Sequence, residues 1–418
     1  MPPAARRPPP AARCPLHAVP RPVLEVPVRA ARLVAPAALL AVGAGLLTAP
    51  APPAAAAQRG AVRPPLYETT DLAVSGQGAH TYRIPALTTL ADGTLVAAFD
   101  RRNDSAADLP GNVDVMVRRS TDRGRTWSAP QAAVDYDGGV GAGDPSLLAD
   151  RETGRVFLFH AYAPQGVGFR TAGAGNAHDS TTVLHTDYGY SDDGGRSWRI
   201  RRLTHDLKDP SWHGIFASSG SGIQLAGGRL LQQYAFRKAD GSMWAASAYS
   251  DDHGANWRLG TPVGPLMDEN KTVELADGRI LLNSRTRGAG KRLVAYSRDG
   301  GLTYSTPVAD DELIDPGNNA SILRYDPAAP PRRARAHRLL FSNTASTGAR
   351  RNLTVRMSCD DGASWPIARV VTPGPAAYST LTRLPDGTFG LLYESGPYRK
   401  ITFARFGDAW LGGPCPAG

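Results

Sequence analysis

Three arginines stand where a lone cation is costly. Arg83 follows Tyr82 inside the apolar stretch TYRIPAL (81–87), Arg285 ends the apolar run ILLNSR (280–285), and Arg350 stands just before the strand-like LTVRMS (353–358). An unpaired charge within such segments carries a desolvation penalty. Three converging guanidiniums would make a rigid clamp for a carboxylate or a phosphate. Taken singly, each could be a solvated surface charge. Convergence needs a frame that brings three distant segments to one point.

The frame is written as repeats. Five segments share Ser-x-Asp-x-Gly-x-x-aromatic: STDRGRTW (120–127), SDDGGRSW (191–198), SDDHGANW (250–257), SRDGGLTY (297–304) and SCDDGASW (358–365). Each follows an alternating, strand-like run. Gly supplies positive φ and the Asp side chain bonds amides within the turn, so the box reads as a hairpin turn. Four of the seven Trp occupy these boxes, which makes them core plugs. A second signal alternates with the first, a turn leading into an apolar run: ADGTLVAAF (from 91), ETGRVFLF (152), AGGRLLQQYAF (226), ADGRILLNS (276) and PDGTFGLLYE (385), with HRLLFSN (337) a weaker sixth. Six inner hairpins with outer boxes give four strands per unit. The expected fold is all-β, a six-bladed β-propeller with Asp-box hairpins spanning residues 61–418, its last blade closed by chain from both ends. The boxes are acidic and repeated, but an active site needs one constellation, so they are scaffold.

Composition narrows the class. Gly (45) and Pro (35) suit short strands and tight turns. The formal charge is +9, of which the first 57 residues carry +5, leaving a dispersed +4 that does not suit a nucleic-acid partner. Those 57 residues read as a secretory leader: six Arg, the apolar stretch LVAPAALLAVGAGLLTA (33–49), then a small-residue cleavage pattern near Ala57. The apolar run is shorter than the ~20 residues a spanning helix needs, and Pro36 interrupts it. The expectation is a secreted, extracellular protein without stable membrane insertion. Cys14 would leave with the leader. Cys359 and Cys415 remain, either bridged or as two free buried thiols.

The sequence resembles the bacterial and animal exo-sialidases (neuraminidases), a family of Asp-box propeller glycoside hydrolases. The matching pieces are YRIPAL (82–87), DLPGNVDVMVRRS (108–120), MDENKTVEL (267–275), LLNSR (281–285), the five boxes and YSTLTRLPDGTFGLLYE (378–394). The resemblance implies that Arg83, Arg285 and Arg350 grip the sialic acid carboxylate, with Arg350 preferred to its neighbour Arg351. It implies Asp108 as acid/base, with Asp104 as a decoy. It implies Tyr378 as nucleophile with Glu269 as its carboxylate partner, ranked above Asp268 and Glu274. Arg102 and Asp144 resemble secondary sugar contacts.

This chemistry suits the substrate. The anomeric carbon of sialic acid bears a carboxylate, which would repel an attacking Asp or Glu, whereas a neutral phenol avoids like charge. Sialidases are a tyrosine exception among retaining glycosidases. No step requires a metal or cofactor. The expected partners are sialylated glycans, glycoproteins and glycolipids. Two alternatives are a catalytically inactive sialic-acid-binding propeller and a trans-sialidase. The second would need an aromatic acceptor platform at the rim, for which Trp212 is the candidate.

Overall fold

The computed structural model describes residues 65–415 apart from 138–139, 287, 289 and 414. The expected leader, residues 1–57, lies outside the described residues. No helix among the described residues is long and apolar enough to cross a membrane.

The six expected blades are present. The first runs from its inner to its outer edge as Thr81–Thr89, Leu95–Arg102, Val113–Ser120 and Gln131–Val134. The second follows as Gly141–Ala149, Val156–Ala163, His185–Ser191 and Arg199–Arg202. In the third the inner position is split into Ile215–Ala217 and Ile223–Gln224, beside Leu230–Arg237, Met243–Ser250 and Arg258–Leu259. Asn270–Glu274, Ile280–Ser284, Lys291–Ser297 and Val308–Ile314 make the fourth. The two strands nearest the axis are largely buried, and the apolar runs fall in the second of them, as in Leu95–Arg102 and Val156–Ala163. Outer ones such as Gln131–Val134 face solvent.

One strand, Ile367–Arg383, serves two blades. Its first half pairs with Arg351–Ser358 at the outer edge of the fifth blade, and its second half pairs with Phe389–Ser395 as the inner strand of the sixth. The sixth blade is completed by Lys400–Phe406 and, antiparallel to it, Tyr67–Val74 from the beginning of the domain. This is the closure by both ends that six inner turns and five boxes imply. The missing sixth box is where the two chain ends lie. The weaker turn before Leu339–Thr344 is a 3-10 helix, Ala334–His337, in place of an Asp-Gly turn.

The boxes behave alike. Ser120 Oγ donates to Asp122 Oδ1 at 2.8 Å, and the amides of Gly124 and Thr126 donate to Ser120 Oγ and Asp122 Oδ1. Hydrogen bonds from Thr126 and Ser120 outweigh the desolvation of Asp122 and hold its carboxyl down at about 2. Each box also leans on the blade before it. A side chain at Gly254 would strike Phe157, one at Gly301 would strike Leu231, and one at Gly124 would strike Phe403 of the sixth blade. Those φ values are positive, 80°, 88° and 82°, so glycine is required twice over. Trp127 meets Phe403 edge-on at 5.2 Å, and Trp257 meets Phe159 at 5.0 Å. The aromatics therefore fasten blade to blade as well as plugging their own hairpins. Cys359, in the fifth box, is bridged to Cys415 with Cα atoms 6.0 Å apart. This ties the tail to the fifth blade.

Candidate active site

Tyr378 and Glu269 meet near the axis. The phenol donates to Glu269 Oε2 at 2.5 Å and accepts from Arg285 Nη1 at 2.7 Å. Arg285 Nη1 also lies 2.5 Å from Glu269 Oε2, and its Nη2 lies 3.1 Å from Asp268 Oδ2. Ser219 Oγ donates to Glu269 Oε1 at 3.0 Å. Burial pushes the Tyr378 hydroxyl well above its usual range, and the charge of Glu269 adds to that; Arg285, Arg350 and Arg83 pull the other way. The phenol rests neutral with a proton acceptor already in place.

The three arginines converge on this ring. The Arg83, Arg285 and Arg350 guanidinium carbons lie 5.4, 5.9 and 5.2 Å from the Tyr378 centroid. Arg350 donates to the Tyr398 hydroxyl at 3.1 Å and to the Gly317 carbonyl at 3.2 Å. Arg351 instead opens a strand and is exposed.

Backbone bulges aim these groups. Strand registers shift between Arg83 and Ala86, between Gly143 and Ser146, and between Ala376 and Ser379. Ile84 and Asp144, each before a proline, both have φ of 58°. That region is costly for a β-branched residue, about 1–3 kcal/mol. Buried carboxylates hold the bulges. Glu394 accepts the amides of Ile84 at 2.8 Å and Tyr378 at 3.1 Å, and Asp100 accepts the Asp144 amide at 3.0 Å. Glu394, with a side chain 0 % exposed, also takes the Arg83 fork at 3.0 and 3.2 Å. Sequence reading missed Glu394, Asp100 and Tyr398. Glu394 left one trace, a lone acid closing the apolar GLLYE (391–394 and the Gly before it).

Asp108 stands at the rim, its side chain 79 % exposed. Arg102 Nη1 lies 2.8 Å from its Oδ1 and Arg83 Nη1 lies 3.5 Å away. Desolvation would raise this carboxyl, but Arg102 and Arg83 together outweigh it and hold it below the usual range. Arg102 is buried, with Nη2 3.0 Å from Asp100 and Nη1 donating to the Ala106 carbonyl. It braces the Asp108 loop. Asp144 lies on the cavity wall. Burial, then the charges of Asp100 and Glu269, push its carboxyl well up. Asp104 is exposed and accepts from Asn112 Nδ2 at 3.4 Å. Glu274 is at the far end of its strand, accepting the Ala226 amide. Asp268 does reach the cavity, as the partner of Arg285.

The cavity measures about 330 Å³, room for one sugar ring. Its lining includes Asp108, Asp144, Glu269 and Arg285 together with the apolar Phe169, Leu184 and Phe216. Trp212 is not a rim platform. It is buried and stacked on Phe236 at 3.5 Å, because the apolar core of the second and third blades takes its ring.

The propeller thus sets three guanidiniums around a phenol–carboxylate pair. Residues 92–391 match the BNR repeat-like domain family. A sialidase of Micromonospora viridifaciens is 50 % identical over 383 residues, covering 88 % of this chain and 58 % of that protein. A sialidase of Paraclostridium sordellii is 30 % identical, covering 78 % of this chain and 84 % of its own length. Among solved structures, a Hadza microbial sialidase superimposes with a TM-score of 0.73 at 31 % identity, over 80 % of this chain and 67 % of its own. The chain belongs to the BNR-repeat sialidase family. It spans less than two thirds of the Micromonospora relative's length.

Proposed function

We propose that the protein is a retaining exo-α-sialidase, hydrolysing terminal α-linked sialic acid from glycans, glycoproteins and glycolipids through a covalent intermediate on Tyr378. The observation that carries this reading is the Tyr378 hydroxyl, held between Glu269 and Arg285 with three guanidiniums around its ring.

In this reading Arg83, Arg285 and Arg350 hold the substrate carboxylate and set the anomeric carbon over the phenol. The Tyr378 oxygen attacks that carbon as its proton passes to Glu269. Asp108 protonates the departing oxygen, then takes a proton from the water that releases the sugar, while Glu269 returns its proton to Tyr378. Arg102 and Arg83 hold the Asp108 carboxyl below its usual range, which favours the carboxylate. A bound carboxylate offsets the charge of Arg83, and the aglycone covers Asp108; both changes favour the protonated acid the first step needs.

Residues 1–57 are proposed as a leader that exports a catalytic domain of residues 61–418, with the Cys359–Cys415 bridge suited to an oxidising compartment. The decisive experiment is trapping with a 3-fluorosialosyl fluoride, whose fluorine slows breakdown of the intermediate. Peptide mapping is expected to place the added mass on the fragment containing Tyr378. An adduct on Glu269 or Asp108 would overturn the tyrosine mechanism. No adduct, with β-sialic acid formed first, would mean inversion.

A further inference from the structure

The inner strands have two ends, which face opposite mouths of the axial channel. Arg83 and Asp144 lie near the beginnings of theirs, and that mouth is the candidate active site. The far ends enclose a second cavity of about 220 Å³. Every blade contributes to it: Thr89 from the first, Arg151 from the second, Gln224 from the third, Glu274 from the fourth, Arg324 from the fifth and Arg383 from the sixth.

Its charge is unbalanced. Three arginines line the cavity against one carboxylate. That carboxylate, Glu274, already accepts the Ala226 amide at 2.8 Å. Arg151 Nη2 reaches the Leu225 carbonyl at 3.3 Å. Arg383 is 3.8 Å from Asp326, which Arg335 holds more closely at 3.0 Å. Arg324 has no ion-pair partner among the described residues. The Nε atoms of both Arg324 and Arg383 are buried without a hydrogen-bond partner. The lining also includes the apolar Ile223, Val273, Ile322, Leu323 and Pro327.

We propose that this mouth is a second ligand site, taking a small carboxylate carried on an apolar ring or branched chain. A carboxylate matches the planar guanidinium forks of Arg324 and Arg383 and offsets the excess positive charge of the lining. An apolar body covers the wall that a bare inorganic anion would leave wet. The cavity is too small for an oligosaccharide, and its excess positive charge rejects cations.

The test is calorimetry on the full chain with benzoate as the probe, the catalytic pocket first filled with the unsaturated sialic acid analogue. One benzoate per chain is expected, with inorganic phosphate binding at least tenfold more weakly. The pair Arg324→Met and Arg383→Met is expected to weaken benzoate tenfold or more, with turnover of an aryl sialoside and the melting midpoint unchanged. In crystals soaked with 4-bromobenzoate, the anomalous bromine peak should lie in this mouth. That position is read whether or not the analogue binds, so it stands apart from the sialidase reading. Benzoate binding that survives both substitutions, benzoate binding that vanishes when the analogue is present, or bromine found elsewhere overturns the site. Phosphate binding as tightly as benzoate overturns its apolar half.

Discussion

Arg83 of the first blade and Glu394 of the sixth, 311 residues apart in the chain, form a two-point ion pair at 3.0 and 3.2 Å. The same carboxylate accepts the amides of Ile84 and Tyr378. One buried acid therefore fixes a clamp arginine and the backbone of the proposed nucleophile together.

Glu394→Gln tests that coupling. Gln keeps the shape but removes the charge and turns one acceptor into a donor. Leaving a buried guanidinium unpaired costs about 3–5 kcal/mol, so the melting midpoint should fall. Affinity for the unsaturated sialic acid analogue should fall tenfold or more in the molecules that remain folded. Unchanged affinity would show that Arg83 does not grip the carboxylate.

Glu269→Gln addresses proton transfer. The amide can still contact the phenol but cannot take its proton. A loss in kcat of about 10²–10⁴ is expected, the usual worth of a placed general base, with KM changed little. A loss confined to KM would make Glu269 a binding group.

Asp108→Ala should separate substrates by leaving group. Natural sialosides need their departing oxygen protonated and should lose the most. Aryl sialosides with good leaving groups should lose far less. Equal losses would remove Asp108 from the acid role and return attention to Asp104.

Lys271 gives a pH signature in stability. It is buried two residues from Glu269, donating to Ser218, Asn270 and Asn319. Desolvation pulls its ammonium down to about 7; Glu269 opposes this, and Arg292 and Arg285 add to it. The unfolded lysine titrates near ~10.4. Between those values the unfolded chain binds the extra proton, so stability rises with pH, by up to about 1.4 kcal/mol per pH unit. Below about 7 both states are charged and the contribution is a constant penalty. Denaturant midpoints from pH 6.5 to 9 should rise more steeply for the parent than for Lys271→Met. Parallel curves would mean that Lys271 is not desolvated.

The sequence by itself determined what depends on neighbours along the chain. A box such as SDDHGANW closes through bonds between residues two to four apart, Ser250 to Asp252 and Asp252 to Asn256, so its spelling specifies its geometry. Counting boxes and inner turns yields six blades and the closure of the last. Resemblance singles out Tyr378, Glu269, Asp108 and the three arginines as a set, and the offset to Arg356 favours Arg350 over Arg351.

The tertiary structure decided the pairings. Tyr378 meets Glu269 across 109 residues, and Arg350 meets Tyr398 across 48. Nothing local to GLLYE says that its acid will hold Arg83. Nothing local to DPSWHGIF says that Trp212 will stack on Phe236 instead of facing the rim. Both outcomes follow from ring closure. Six inner strands packed around one axis leave little room there, and each charge enclosed at the axis must find its partner on another blade.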